Sequence, residues 1–157
     1  GGWQAAEAES ALTKALNDGS ALAAWERIVI AHGGDPNPER LARPRTTVEV
    51  EAACDGCVVA CDGEDLGRVA AEVGAGRRRV DEELDHGAGV LVHSRIGDRV
   101  DSGQPLATLL LGERVVDEKR LAERIRNAFT IEDQPVAERD LILGTVDEVL
   151  CLGAPRR

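Results

Sequence analysis

The sequence predicts an α+β domain built on a mostly antiparallel sheet, and three observations carry that expectation. From residue 46 onward, strand-like and helix-like segments follow in the order β-β-α-β-β-α, without the strict alternation that marks a parallel sheet. Two short apolar runs, Val90-Leu91-Val92 and 106–111, are separated by the pairs Gly97-Asp98 and Ser102-Gly103. Such pairs mark tight turns, because glycine accepts positive φ and Asp or Ser satisfies the turn backbone locally. Both helices of that order are apolar on one side only, as helices that cover a sheet must be.

Each element has its own signals. Residues 5–17 are Ala-rich, with Leu12 and Leu16 on one face, and Asp18-Gly19 ends the segment as a helix stop. Ser20 is a candidate N-cap for a second helix over 21–31, where Leu22, Trp25, Ile28 and Val29 form an apolar stripe. Gly33-Gly34-Asp35-Pro36 stops it. Two short helices cannot bury both apolar faces against each other alone, so they are expected to belong to a neighbouring element. Residues 36–45 hold three prolines and no periodicity, which reads as a linker. Residues 46–51 alternate as a strand, 52–56 turn, and 57–61 form a second strand. Asp62 can cap a helix over 64–73, with Leu66, Val69, Ala70 and Val73 inward and Gly74 as its stop. A last helix is predicted over 116–129, with Leu121, Ile125, Ala128 and Phe129 on one side. Its other side carries Glu118, Lys119, Glu123 and Arg126. The apolar run 141–149 reads as an edge strand in the tail.

Composition excludes some classes of function. The 157 residues suffice for a sizeable core, which Val, Leu, Ile and Ala must supply because aromatics make up 2%. A net charge of -10 argues against a general nucleic-acid or anionic-membrane surface. No apolar run of membrane-spanning length and no basic-then-apolar leader is visible. The sequence begins Gly1-Gly2-Trp3 and has no Met, which reads as a piece of something longer.

Three features invite a chemical reading. Cys54, Cys57 and Cys61 have C-x2-C-x3-C spacing, and His86, His93 and Cys151 could complete a metal set. Against this, a single CxxC lacks the second pair that makes such spacing persuasive. Period-two geometry also places Cys57, Val59 and Cys61 on one strand face. No metal site is expected. Gly74-Ala75-Gly76-Arg77-Arg78-Arg79 could hold an anion through consecutive N–H groups and arginines. It follows a helix instead of opening one, and Asp81, Glu82, Glu83 and Asp85 can neutralise the arginines locally. His86 and His93 have no obvious nucleophile partner, and both read as structural.

The run from Ile96 to Leu106 is similar to the turn of biotinyl and lipoyl carrier domains. Those carriers attach their cofactor to a hairpin lysine, whereas here the lysines are Lys14 and Lys119 and none stands near Glu113. No covalent cofactor is expected.

The ordered motifs resemble a nameable family. Trp25-Glu26-Arg27 with Ala31-His32-Gly33-Gly34-Asp35-Pro36 resembles the close of the main α/β domain of pyrimidine-nucleoside phosphorylases, including thymidine phosphorylase. The run 48–62, Gly74-Ala75-Gly76-Arg77, Asp85-His86-Gly87-Ala88-Gly89-Val90, the run 96–109 and Phe129-Thr130-Ile131-Glu132-Asp133 resemble that family's C-terminal domain in the same order. The resemblance covers 5–137. It implies an α/β-hammerhead C-terminal domain, a barrel-sandwich-hybrid-like antiparallel β structure with two helices, preceded by two helices of the parent α/β domain. The implied division is 1–35 for that helical end, 36–45 for the linker, 46–137 for the C-terminal domain and 138–157 for a tail.

The parent implied is a homodimeric cytoplasmic pentosyltransferase. It would cleave thymidine or uridine with phosphate as co-substrate, giving free base and a pentose 1-phosphate. The family's phosphate-binding and pyrimidine-holding segments lie in its earlier two-thirds, so no catalytic, substrate-binding or metal residue is expected here, and no cofactor. The expected partners are the chain's own α and α/β domains and a second copy through the parent, with no nucleic acid and no membrane. Gly74, Gly76 and Arg77 stand as a loop that could help hold a closed form. A free-standing adaptor of barrel-sandwich type is the alternative.

Overall fold

A computed structural model describes residues 2–77, 79–114 and 116–136. The predicted edge strand at 141–149 and Cys151 lie outside the described residues. The chain forms two compact units, Gly1–Ala42 and Arg43–Arg157.

The first unit is a pair of helices, α1 (Ala5–Asn17) and α2 (Ser20–Ala31). Neither buries a residue, and Leu16 and Ile28 stay mostly exposed, as expected where two short helices cannot bury both apolar faces against each other. The second helix starts one residue earlier than its sequence suggests. Gly19 takes the cap position at φ +81°, and the Asp18 carboxylate accepts the Ser20 N–H at 2.9 Å. With only two residues between the helices, the turn needs a left-handed residue at the cap, so the capping oxygen comes from Asp18 instead of Ser20. The proline-rich stretch is not structureless: Pro38–Arg40 is a 3-10 turn, where Asn37 accepts the Glu39 N–H at 3.0 Å.

The second unit is α+β, as expected, but its strands divide between two small sheets. The first joins β1 (Thr46–Glu51), β5 (Pro105–Leu111) and β3 (Gly89–Val92) in the order β1-β5-β3, all antiparallel. The second joins β4 (Arg99–Val100), β2 (Gly56–Cys61) and β6 (Phe129–Glu132) in the order β4-β2-β6. The segments 46–51 and 57–61 are therefore neighbours in sequence but members of different sheets. Likewise the turn region between β3 and β5 contributes β4 to the other sheet.

Helices α3 (Gly63–Val73) and α4 (Glu118–Asn127) complete the unit. Asp62 caps α3 by accepting the Asp65 N–H at 3.0 Å, and Asp117 caps α4 by accepting the Arg120 N–H at 3.1 Å. Leu66, Val69 and Val73 of α3 and Leu121 and Ile125 of α4 enter one core with Val50, Val58, Leu106 and Leu109. Helix α4 ends before Phe129, which instead opens β6. The 3.6 periodicity of its apolar residues runs on through Ala128 and Phe129, but Phe129-Thr130-Ile131 pairs with β2 and buries Phe129 from a strand. A polar clasp joins the two helices outside the core: Arg124 bonds Asp65, and also Glu72 at 3.0 Å, while Arg120 bonds Glu72 as well.

Candidate functional site

The end of α3 determines the shape of the loop that follows. Gly74 sits at φ +119°, a conformation that L side chains rarely adopt, and the Ala75 N–H turns back to the Ala70 carbonyl at 2.9 Å. Gly76 lies close over the same helix turn, since a Cβ there would stand 2.8 Å from the Ala71 Cβ and 3.0 Å from its Cα. Arg77 is exposed at the loop tip, and Arg79 pairs with Asp81 at 3.6 Å.

Glu82 pairs with Arg114 at 2.7 Å, a half-buried ion pair bridging to the segment after β5. Arg114 also donates to the Ala71 and Glu72 carbonyls at 3.3 Å each, closing the exposed carbonyl end of α3 with a positive charge.

Asp85 is the residue that sequence reasoning missed. Its carboxylate accepts the Gly87 N–H at 3.0 Å and the Glu113 N–H at 3.0 Å, while its own N–H donates to the Gly74 carbonyl at 2.9 Å. Those backbone donors, Glu113 foremost and then Gly87, hold the carboxyl below the usual carboxylate range. Gly112 is glycine for a steric reason: a Cβ there would overlap the Asp85 carboxylate outright.

Asp65 is lowered likewise, chiefly by the hydrogen bond from Arg124. Both carboxylates therefore stabilise the fold above their unfolded pKa of about 4. That contribution is lost as pH falls through the lower folded values, because the unfolded chain takes up the protons first. The urea midpoint should drop as pH falls from about 5 to about 3, and Asp65→Asn should flatten that drop. Equal acid slopes in both proteins would contradict the assignment.

The cysteines are not arranged as period-two geometry predicts. A register shift in β2 between Val58 and Ala60 breaks the alternation, so Cys61 packs against the Val58 core while Cys57 is buried outside it. The Cys57 thiol faces the Gly97 carbonyl at 3.4 Å, Cys54 is exposed, and burial, then the nearby Asp62 charge, pushes the Cys61 thiol up. His93 bonds Thr108 at 2.7 Å across the β3–β5 pair, and His86 is exposed. Among the described residues no three His, Cys, Asp or Glu side chains come together as a metal site. Also among them, no helix is long and apolar enough to cross a membrane.

These features define a scaffold class: an α+β domain of two small antiparallel sheets, with a braced surface loop where α3 ends. Residues 57–132 match the model of the pyrimidine nucleoside phosphorylase C-terminal domain. The pyrimidine-nucleoside phosphorylase of Geobacillus stearothermophilus is 32% identical over 142 residues, covering 87% of this chain and 33% of that enzyme. The enzyme of the same name from Staphylococcus aureus (strain USA300) is 30% identical over 135 residues, covering 83% of this chain and 31% of the relative. The chain thus spans about a third of the length of these curated relatives. It carries a pyrimidine nucleoside phosphorylase C-terminal domain, the family to which its resemblance pointed.

Proposed function

We propose that this domain serves as the C-terminal domain of a pyrimidine-nucleoside phosphorylase. The enzyme would be a pentosyltransferase that takes a pyrimidine nucleoside and phosphate to the free base and a pentose 1-phosphate in nucleoside salvage. The observation that carries this is the extent of the similarity: it runs over 142 residues, well beyond the 57–132 match, which disfavours a free-standing adaptor. Residues 1–35 are then the helical end of the α/β domain, 36–45 the linker and 46–137 the C-terminal domain. The enzyme would be a cytoplasmic homodimer, with nucleoside and phosphate bound by its other domains.

In this reading the domain contributes no reacting group. Phosphorolysis needs a phosphate in line with the anomeric carbon and donors for the departing base, and in this reading the enzyme's other domains supply both. The domain's part is mechanical. Gly74, Gly76 and Arg77 form a loop that helps hold the closed cleft, with the exposed Arg77 as the contacting cation.

The test is kinetic and uses the full-length enzyme that carries this domain. Base should be released from thymidine or uridine only when phosphate is present. Arg77→Ala should raise KM for phosphate or lower kcat by about tenfold, the scale of one lost charged contact. No phosphate-dependent release would overturn the phosphorylase reading. Unchanged kinetics in the variant would remove the loop from it.

A further inference from the structure

Four separate stretches of the second unit meet around one carboxylate. The loop after α3 leaves at Gly74 and returns at Asp85, whose N–H closes onto the Gly74 carbonyl. Asp85 then binds the Gly87 and Glu113 N–H groups through its two oxygens, tying the path into β3 to the segment after β5. The incoming segment joins the same point: the Arg45 Nε donates to the Gly112 carbonyl at 3.3 Å. Gly87 lies so close that a Cβ on it would stand 2.5 Å from the Arg43 carbonyl oxygen. Arg114, through Glu82 and the last carbonyls of α3, braces the loop from its other side.

We infer that the Asp85 carboxylate is the anchor that fixes the position of the loop from Gly74 to Arg79 on the body of the domain. Asp85 is thus a positioning residue, and its part in catalysis rests on the closure role proposed above. The chemistry favours an anionic anchor. A carboxylate offers acceptors to both N–H groups at once, whereas an amide must turn an NH2 toward one of them. The donors come from backbone, so they cannot swing away as side chains would. The missing Cβ at Gly112 provides the space in which the carboxylate sits. Loop and domain body are therefore coupled, and the tip moves as part of the domain.

Two variants disturb the anchor by different routes: Asp85→Asn removes one acceptor, and Gly112→Ala displaces the carboxylate without changing its charge. In the full chain, tryptic cleavage after Arg77 or Arg79 should speed up about tenfold in each, because cleavage follows the population of the open loop. Cleavage after Arg68, inside α3, should stay slow and reports global unfolding. The double variant should cleave no faster than the faster single one, as two routes to one lost anchor must be non-additive.

In the full-length enzyme the same variants should raise KM for phosphate by several-fold with kcat changed less, as Arg77→Ala does if the loop acts on phosphate. Unchanged loop cleavage in both variants would overturn the anchor. So would a loosened loop with normal kinetics in an enzyme that Arg77→Ala does impair, since Asp85 would then be structural only. If Arg77→Ala is itself silent, the closure role falls alone, and the tryptic rates still decide whether Asp85 fixes the loop.

Discussion

Replacing Leu109 with Ala should cost the second unit about 2–5 kcal/mol of unfolding free energy, more than any surface change in it. Leu109 is fully buried at the middle of β5, the strand that β1 and β3 both pair with, opposite Val48 on one side and Val90 on the other. Neither neighbouring strand can close a cavity there without breaking its own ladder, so collapse around the truncated side chain is restricted. Domains of this kind have about 5–15 kcal/mol in total, so the loss is a large share of what holds the fold. A urea titration followed by far-UV circular dichroism measures it. Leu91→Ala is the matched control, because Leu91 on edge strand β3 is 53% exposed and its removal should change the midpoint little. Equal midpoints for the two variants would refute the placement of the core.

The contrast between Leu109 and Leu91 also shows what was readable from sequence. The run 106–111 is apolar nearly throughout and reads as a strand, and the structure buries Ala107, Leu109 and Leu111 on one face while Thr108 and Leu110 are half-buried on the other. Helix α3 was legible end to end, because Asp62 and Gly74 are strong local signals and both act as predicted. Local signals mislead where a non-local partner decides. Phe129 continues the helical spacing of Leu121 and Ile125, and only pairing with β2 makes it a strand residue. Strand β4 is two residues long, too short to carry any period, and it exists because Gly56 and Cys57 lie opposite Val100 and Arg99. The bulge in β2 separated cysteines that a regular strand would have aligned.

The candidate site was legible at its tip and hidden at its base. Gly74-Ala75-Gly76-Arg77 announces a turn with exposed charge, and the turn is there. Asp85 looked like one of four acids available to three arginines. Its real partners are backbone N–H groups 2 and 28 residues away in sequence, which no composition or spacing reveals. The one available hint was Gly112, a glycine directly after a nearly apolar strand, where an added Cβ would run into that carboxylate.

Gly56→Ala should destabilise the unit by about 3 kcal/mol although it adds a single methyl group, since overpacking and backbone strain act together there. Gly56 opens β2 at φ +154°, within the range that L residues rarely adopt, and it is buried. A Cβ at this position would stand 2.6 Å from the Ile131 Cγ2 and 2.8 Å from the Glu132 carbonyl oxygen. Ile131 could rotate away, but the carbonyl belongs to β6, whose residue Glu132 pairs with Cys57 next door. Relief therefore requires β6 to separate from β2, and β6 is joined directly to α4, whose Leu121 and Ile125 are fully buried. The strain should spread into the helix packing instead of staying at the strand end. Thermal unfolding of Gly56→Ala should show a lowered midpoint. Gly103→Ala, where a Cβ meets open space and only the positive φ is strained, should lose distinctly less. Similar losses at both positions would mean that backbone conformation alone, and not the approach of β6, makes glycine necessary at the start of β2.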